Sequence, residues 1–420
     1  MISLLRRNRD FRMLYIAQVI SYAGDWFATV ALAGLVLDRT GSDFAQTLVW
    51  VAAALPAFLV TPWAGPTADR FDRRRIMLAC SAAQAALTGF YFLGQHSWIG
   101  FGIGAQALVA GVAAFFTPAS GAALANLVDP EDLPTAANMA SATWGAMLAI
   151  GSALGALVAQ HFGRTTAFAG DTASFVIAGL LILRVKRATR RADAPKPPGT
   201  RIRPIRDTVE TLKFARNNEI IRSLLLSKAG FGFGTGVVGL LAVLAKRRFG
   251  TGDDGIGLLL VARGAGVLLG PALLKRSIAK GLPRVLTACG YGAIAYGVFY
   301  GLVPVPSAIG IAAIFVFFAH AGGGVQWGGC YYGLQQASPD ELRGRIISAD
   351  YALVTVTMSV SLVAAGLLSN RYGPRPVMFG LAAVEVAWGC AFLALTRRVR
   401  RSVPPTPPVP PVPASMSAAA

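Results

Sequence analysis

The sequence predicts an all-α integral membrane protein in which twelve transmembrane helices form two pseudo-symmetric six-helix bundles. Three observations predict it. The 420 residues are 54% hydrophobic and only 14% charged, where ordinary soluble domains carry roughly 25%. Charge-poor stretches long enough to cross a hydrocarbon core of about 30 Å as helix recur from end to end. Short motifs also recur in the same order at separations near 210 residues, the mark of an internal duplication.

The expected spans are 11–37, 44–66, 75–94, 98–126, 135–161 and 165–184, then 219–248, 253–275, 283–303, 306–335, 345–370 and 374–396. Helix 1 follows the basic lead "MISLLRRNRDFRMLY" and runs into "LVLDRTG". Its apolar run is too long for a signal-peptide core and has no small-x-small cleavage site, so it is expected to stay in the mature protein. Helix 2 ends in "GPTADRFDRRR", which opens helix 3 and places six charges within residues 69–75. Helix 4 is followed by "VDPEDL" and helix 5 by "HFG", while helix 6 opens on "FAGDTASF". In the second half, helix 7 ends in "KRR" and helix 8 holds "LGPALL"; helix 10 is followed by "SPDEL" and helix 11 by "RYG". The matched pairs are AGPTAD with LGPALL, VDPEDL with SPDEL, and HFG with RYG.

The halves then read as 1–184 and 219–396. Residues 185–218 form a basic, proline-bearing cytoplasmic linker that turns amphipathic from about Asp207 to Arg216, the pattern of a short interfacial helix. Residues 397–420 end in a proline-rich tail without core-forming residues, either solvated or a ligand through its P-x-x-P spacing.

A formal charge of +19 raises nucleic acid as a partner, but the basic residues sit between apolar spans and form no basic domain. With both termini cytoplasmic, inward segments hold 30 Lys and Arg and outward segments 7, as the positive-inside rule requires. The "KRR" at 246–248 is the one outward cluster against it. Cys80, Cys289, Cys330 and Cys390 are isolated in apolar segments, so neither a structural metal nor a disulfide framework is expected. No phosphate-cradling loop and no catalytic cluster of His or carboxylates occurs in the sequence, so neither ATP drive nor an enzyme is expected. No cofactor is expected.

Residues 65–75 resemble the signature Gly-x-x-x-Asp-Arg-x-Gly-Arg-Arg-Arg/Lys of the major facilitator superfamily, with Gly65, Asp69, Arg70, Arg73, Arg74 and Arg75 on the pattern and Asp72 in place of its glycine. "RNRDFRMLYIAQVISYAGDW", "FAGDTASF" and "LQQASPDELRGRIIS" are similar to segments of that superfamily's drug and siderophore exporters, and the likeness covers about residues 5–400. The resemblance implies a conformational lock. Gly65 lets helix 2 approach a helix of the other half. Asp69 faces the positive N-terminus of helix 11, a contact contributing about 0.3–1 kcal/mol. Arg70 and Arg73 pair with acids, Asp72 adds a local partner for an arginine, and Arg343 and Arg345 of "LRGRI" form the opposing face. The plainer reading of Arg73, Arg74 and Arg75 is that they anchor the loop at anionic headgroups. Helix 4 lacks the arginine that many proton-coupled relatives carry, and in "IGSALGA" Ser152 stands where an antiporter motif has proline. Those two positions therefore imply no proton coupling.

Ionisable groups at bilayer depth are functional candidates by default. Asp25, mid-way along helix 1, suits a proton, a cationic substrate or a structural arginine. Arg263 of helix 8 must face the interior and either pairs with Asp25 or meets an anionic group. Lys228, two turns into helix 7, either lines the pathway or snorkels to the interface. His320 of helix 10 is either a hydrogen-bonded bundle residue or a proton relay, and the glycines around it allow helix 10 to bend. Gln326, Trp327, Tyr22 and Trp26 are placed to line a cavity, or to pack.

The expected function is secondary export of small amphipathic molecules, drug- or siderophore-like, by alternating access and driven by protons. Import or lipid flipping on the same scaffold, or a non-transporting receptor or scaffold, are the alternatives. The expected partners are the substrate, protons and the bilayer. The expected state is a monomer, multi-pass in a bacterial-type inner membrane with both termini cytoplasmic.

Overall fold

The computed structural model describes residues 2–186 and 213–402, all helix and connection without a strand among them. Twelve helices are long and apolar enough to cross a membrane. In the first half they are α1 (Arg9–Thr40), α2 (Asp43–Arg70), α3 (Arg73–Leu87 continuing as Gly89–His96), α4 (Gly100–Leu127), α5 (Leu133–Phe162) and α6 (Arg164–Leu183). In the second they are α7 (Glu219–Gly234, Gly236–Gly239 and Leu241–Arg247), α8 (Asp253–Ala279), α9 (Leu282–Leu302), α10 (Ile309–Ala337), α11 (Asp340–Tyr372) and α12 (Pro374–Leu395). Of the amphipathic helix expected from Asp207 to Arg216, only residues from 213 are described, and 213–217 are helical. The proline-rich stretch from 403 onward lies outside the described residues.

The duplication is visible in the backbone. Gly163, between α5 and α6, has φ 85° and ψ 155°, and Gly373, between α11 and α12, has φ 82° and ψ 161°. Both turns need a positive φ that only glycine adopts without strain. The sequence pair HFG and RYG is thus one turn used twice.

Two seams join the halves, α5 against α8 and α2 against α11. Small residues make them close: a Cβ on Gly264 would stand 2.6 Å from the Ala149 backbone nitrogen, and one on Gly366 2.7 Å from the Cα of Phe44. Without water to drive association, helices in lipid rely on this kind of close backbone approach. The hydrophobic clusters divide unequally. Where α1 ends and α2 begins, one cluster draws Val30, Leu37, Trp50 and Ala156 of the first half together with Leu241, Ile256 and Leu362 of the second. At the opposite, linker end the clusters among the described residues are separate, one around Phe11, Met77 and Leu127 of the first half and another around Leu224, Leu286 and Phe392 of the second.

Bending was expected in helix 10, and the structure places it elsewhere. α10 is unbroken over 29 residues. Its glycines serve contact instead: a Cβ on Gly322 would meet the Gly292 carbonyl oxygen at 2.7 Å, and one on Gly324 the Cα of Gly270 at 3.1 Å. The interrupted helix is α7, in "GFGFGTGVVG" (230–239), where five glycines lower helix propensity. The Thr235 hydroxyl donates back to the Phe231 carbonyl at 2.6 Å, a contact that competes with the backbone ladder. Ser361 of α11 bridges the break: its oxygen accepts from the Gly236 N–H at 3.0 Å and it donates to the Phe233 carbonyl at 2.5 Å.

Ser361→Ala strips the buried Gly236 N–H of its acceptor and is expected to destabilise the protein by about 1–3 kcal/mol. Ser359→Ala removes a hydroxyl that bonds only to Thr355 of its own helix and should cost less. Unfolding in mixed detergent micelles compares the two, and equal losses would remove the bridge as a stabilising element.

Candidate functional site

At the α1–α2 end four side chains from four helices close a ring of alternating charge. Arg164 of α6 donates to Asp253 of α8 from Nε at 2.8 Å and from Nη2 at 2.9 Å, and its Nη2 also reaches Asp38 of α1 at 2.7 Å. Lys246 of α7 completes the circuit, 2.6 Å from Asp38 and 3.5 Å from Asp253. Two of the contacts, Arg164 with Asp253 and Lys246 with Asp38, cross between the halves. Beside the ring Arg247 pairs with Asp43 of α2 at 2.8 Å and also donates to the Gly41 carbonyl. Asp43 further accepts from Ser369 of α11 at 2.5 Å, and the Asn370 side chain accepts from the Asp43 N–H at 2.8 Å. Asp253 is 4% exposed and Asp43 fully buried, whereas Asp38 is 47% exposed. The ring is therefore half dry, strong enough to hold two surfaces together and wet enough to open. The outward-cluster anomaly "KRR" is accounted for here, since Lys246 and Arg247 cross to the other half and Arg248 faces the Val305 carbonyl of its own.

At the linker end two arginines of the signature reach backbone carbonyls of their own half. Arg73 donates to the Ala122 carbonyl at 2.9 Å, and Arg74 reaches the Ile182 and Leu183 carbonyls at the end of α6. Asp72 departs from the family glycine for a local reason: it is the N-cap of α3, accepting from the Arg75 N–H at 2.8 Å. It was expected to pair with an arginine side chain, but its oxygen serves the helix end, where orphan N–H groups need an acceptor. Arg343 donates to the Ser338 carbonyl, Arg70 lies exposed in the last turn of α2, and Arg345 is exposed on α11. The surroundings of Gly65 and the side chain of Asp69 are outside what is described. Asp132 of "VDPEDL" pairs with Arg7.

The interior corrects several expectations. Lys228 does not snorkel. It is 1% exposed, bonds Asp350 of α11 at 3.1 Å and lies 3.7 Å from the Trp327 ring centroid. Arg263 does not pair with Asp25. It sits 5.5 Å over the Trp50 ring, and its Nε and Nη1 are buried without a hydrogen-bond partner. Asp25 is partly exposed and within electrostatic reach of Tyr22, Tyr91 and Asp171, all of its own half. Gln326 is fully buried, and its amide donates to the Ser227 carbonyl at 2.9 Å, tying α10 to α7. His320 is 3% exposed and 2.6 Å from the Tyr300 hydroxyl. Trp26 lies between Trp50, tilted at 46°, and Trp144, edge-on at 69°, and Tyr22 is half-buried.

Asp38, Asp43, Asp253 and Asp350 were missed in the sequence. Two further buried acids share one setting. Asp171 of α6 stands against Gly24 of α1 and Glu385 of α12 against Gly234 of α7, glycines 210 positions apart, and neither acid forms an ion pair. Cys289 and Cys330, isolated in sequence, bring their sulfurs to 3.9 Å between α9 and α10.

Twelve spanning helices in two repeated halves, held together by ions at one end, define a multi-pass membrane transporter rather than an enzyme. Residues 4–403 match the family described as transmembrane secretion effector, and the chain belongs to that family of the major facilitator superfamily. It is 28% identical over 422 residues to the multidrug efflux pump Tap of Mycobacterium tuberculosis, covering 93% of this chain and 94% of the relative. It is 24% identical over 381 residues to the uncharacterized MFS-type transporter YfiS of Bacillus subtilis, covering 88% and 89%. Its fold is similar to the crystal structure of a bacterial homolog of the human lysosomal transporter Spinster, inward-facing and unoccupied, with TM-score 0.73 at 15% identity over 94% of this chain and 99% of that one. An auto-inhibited POT family peptide transporter aligns with TM-score 0.70 at 16% identity, over 93% and 97%.

Asp253→Asn leaves Arg164 and Lys246 only the half-exposed Asp38 to share and is expected to loosen the ring end. The readout is labelling of Leu37→Cys, buried beneath the ring, by a membrane-impermeant maleimide in a chain otherwise free of cysteine. Labelling should quicken about tenfold, a change worth 1.4 kcal/mol. Asp253→Glu, which keeps the anion between Arg164 and Lys246, should retain much of the protection, and unchanged labelling in Asp253→Asn would show that the ring is no barrier.

Proposed function

We propose that the protein is a secondary exporter of small amphipathic molecules, working by alternating access. One observation carries the reading: the halves share a core and an ion ring at the α1–α2 end, but keep separate cores at the linker end. Two bodies joined at one end and independent at the other can rock about the site between them. The efflux activity in Tap's name supports the outward direction. The positive-inside bias supports a cytoplasmic linker and termini in a bacterial cell; the ring is then an external gate and the present conformer inward-facing.

In this mechanism the substrate enters from the cytoplasmic side while the ring holds the outer side shut. Closure there sets the signature segment of α2 against the start of α11, with Gly65 and Asp69 at the contact and Arg343 and Arg345 opposite. The ring must break for release, and its partly wet position keeps that step reversible on the timescale of transport. Drive comes from protons taken up by Asp25, the partly exposed acid on α1, or by His320. Drug- and siderophore-like compounds are the proposed cargo, carried by a monomer.

Inside-out vesicles under an imposed proton gradient, offered a panel of dyes and siderophores, are expected to accumulate at least one compound. Asp25→Asn should abolish the gradient-driven part and leave facilitated exchange. Uptake into right-side-out vesicles alone would reverse the direction, and no movement of any compound by inserted protein would overturn the reading.

A further inference from the structure

From the surroundings of Arg263 we infer a binding site for a flat aromatic molecule carrying a planar anion such as a carboxylate. The inference rests on the transporter reading, whose substrate class it names. Arg263 belongs to α8, at the seam with α5, and its guanidinium lies over Trp50 of α2 in the other half. Trp50 is 6.4 Å from Trp26 of α1, which is 6.3 Å from Trp144 of α5. A chain of three indole rings from three helices of one half thus ends, at Trp50, against a cation supplied by the other. On the second-half side Arg263 is within electrostatic reach of Tyr300 and His320, which are hydrogen-bonded to each other.

The guanidinium has no counter-ion among the described residues. Neither Nε nor Nη1 has an acceptor, and no carboxylate lies within ion-pair distance. A permanent charge at bilayer depth without an acid is expensive, and unsatisfied donors of this kind call for a missing partner. Asp25 does not supply one, because its electrostatic neighbours lie within its own half. Nε and Nη1 have no hydrogen-bond partner among the described residues, so turning the long side chain toward an incoming anion breaks no hydrogen bond of theirs. Arg263 as a whole is only partly buried and Trp144 is 46% exposed, which leaves both ends of the site reachable.

The chemistry of the occupant follows from these parts. A planar fork of N–H donors matches a carboxylate or similar planar anion in bidentate fashion, where a point-charge ammonium would not. Indole faces accept a flat ring by stacking. A cationic aromatic would meet Arg263 as a like charge with no acid beside it, so the site discriminates by sign as well as by shape. Because its cation and its rings come from opposite halves, rocking would pull the fork away from the stack, coupling release to the conformational change.

The test is equilibrium dialysis of the full chain in nanodiscs of zwitterionic lipid against 2-naphthoate, its neutral amide and 2-naphthylmethylammonium. Saturable naphthoate binding is expected, tighter than the ammonium by about tenfold or more, the scale of a charge-assisted pair. Arg263→Gln should erase that preference while leaving the amide's affinity unchanged, which shows that the variant is folded. Arg263→Lys should keep part of the preference, and Trp50→Leu should weaken naphthoate and amide together. Equal binding of acid and ammonium, absence of saturable naphthoate binding, or a preference that survives Arg263→Gln would each overturn the inference. Naphthoate binding that depends on Arg263 in a protein that moves nothing in vesicles would leave this site standing and remove the export reading. Transport of cations by a protein that does not bind naphthoate would do the reverse.

Discussion

The closed circuit of Arg164, Asp253, Lys246 and Asp38 is the interaction on which the present arrangement of the halves depends. Each charge in it has two neighbours of opposite sign, so no single contact carries the whole junction. Apolar packing beneath it, from Leu37 to Ile256, gives area without direction. The ring supplies direction, because alternating charges fit in one register only. The close α5–α8 and α2–α11 seams then follow as the small-residue surfaces that such a register brings together.

Much of this fold is legible in the sequence because a bilayer imposes so few solutions. Hydrocarbon leaves helix as the one local answer for backbone hydrogen bonding within a single segment, and each expected span overlaps its helix to within a few residues at most ends. The repeated HFG and RYG turn was readable because glycine alone suits its dihedrals. What escaped was whatever depends on partners remote in sequence. The ring joins residues 89, 126 and 208 positions apart, and local pattern offers no hint of such pairings. "KRR" was visible as an exception to a charge rule, and an exception of that kind is itself the signal that a cluster has been kept for contacts. The site residues were found as types but not as partners: Lys228 read as a pathway or interfacial lysine because Asp350 lies 122 residues away on another helix, and the Ser227 acceptor of Gln326 on α7 could not be foreseen.

Glycine was misread in an instructive way. Its effect on propensity is the same in α7 and α10, yet only α7 breaks. In α10 the glycines lie against backbone of α8 and α9, and tight packing on both sides holds the helix straight. In α7 they face α11 and α12 side chains, Thr357, Ser361 and Glu385 among them, and a hydroxyl is present to take up the backbone groups that the break releases. Whether a glycine run bends depends on what can satisfy the freed N–H and carbonyl groups.

The sealed pair of Lys228 and Asp350 has a consequence for how the protein is made. The two are separated by 122 residues and both are effectively inaccessible. During synthesis α7 enters the membrane carrying an ammonium whose partner has not yet been translated, at an insertion penalty of about 2.5–3.5 kcal/mol for a central charge. Only when α11 follows is that penalty relieved. The second half therefore matures as a unit after its fifth helix arrives, and a chain that stalls before α11 presents the cell's quality-control machinery with a membrane helix bearing an unpaired charge.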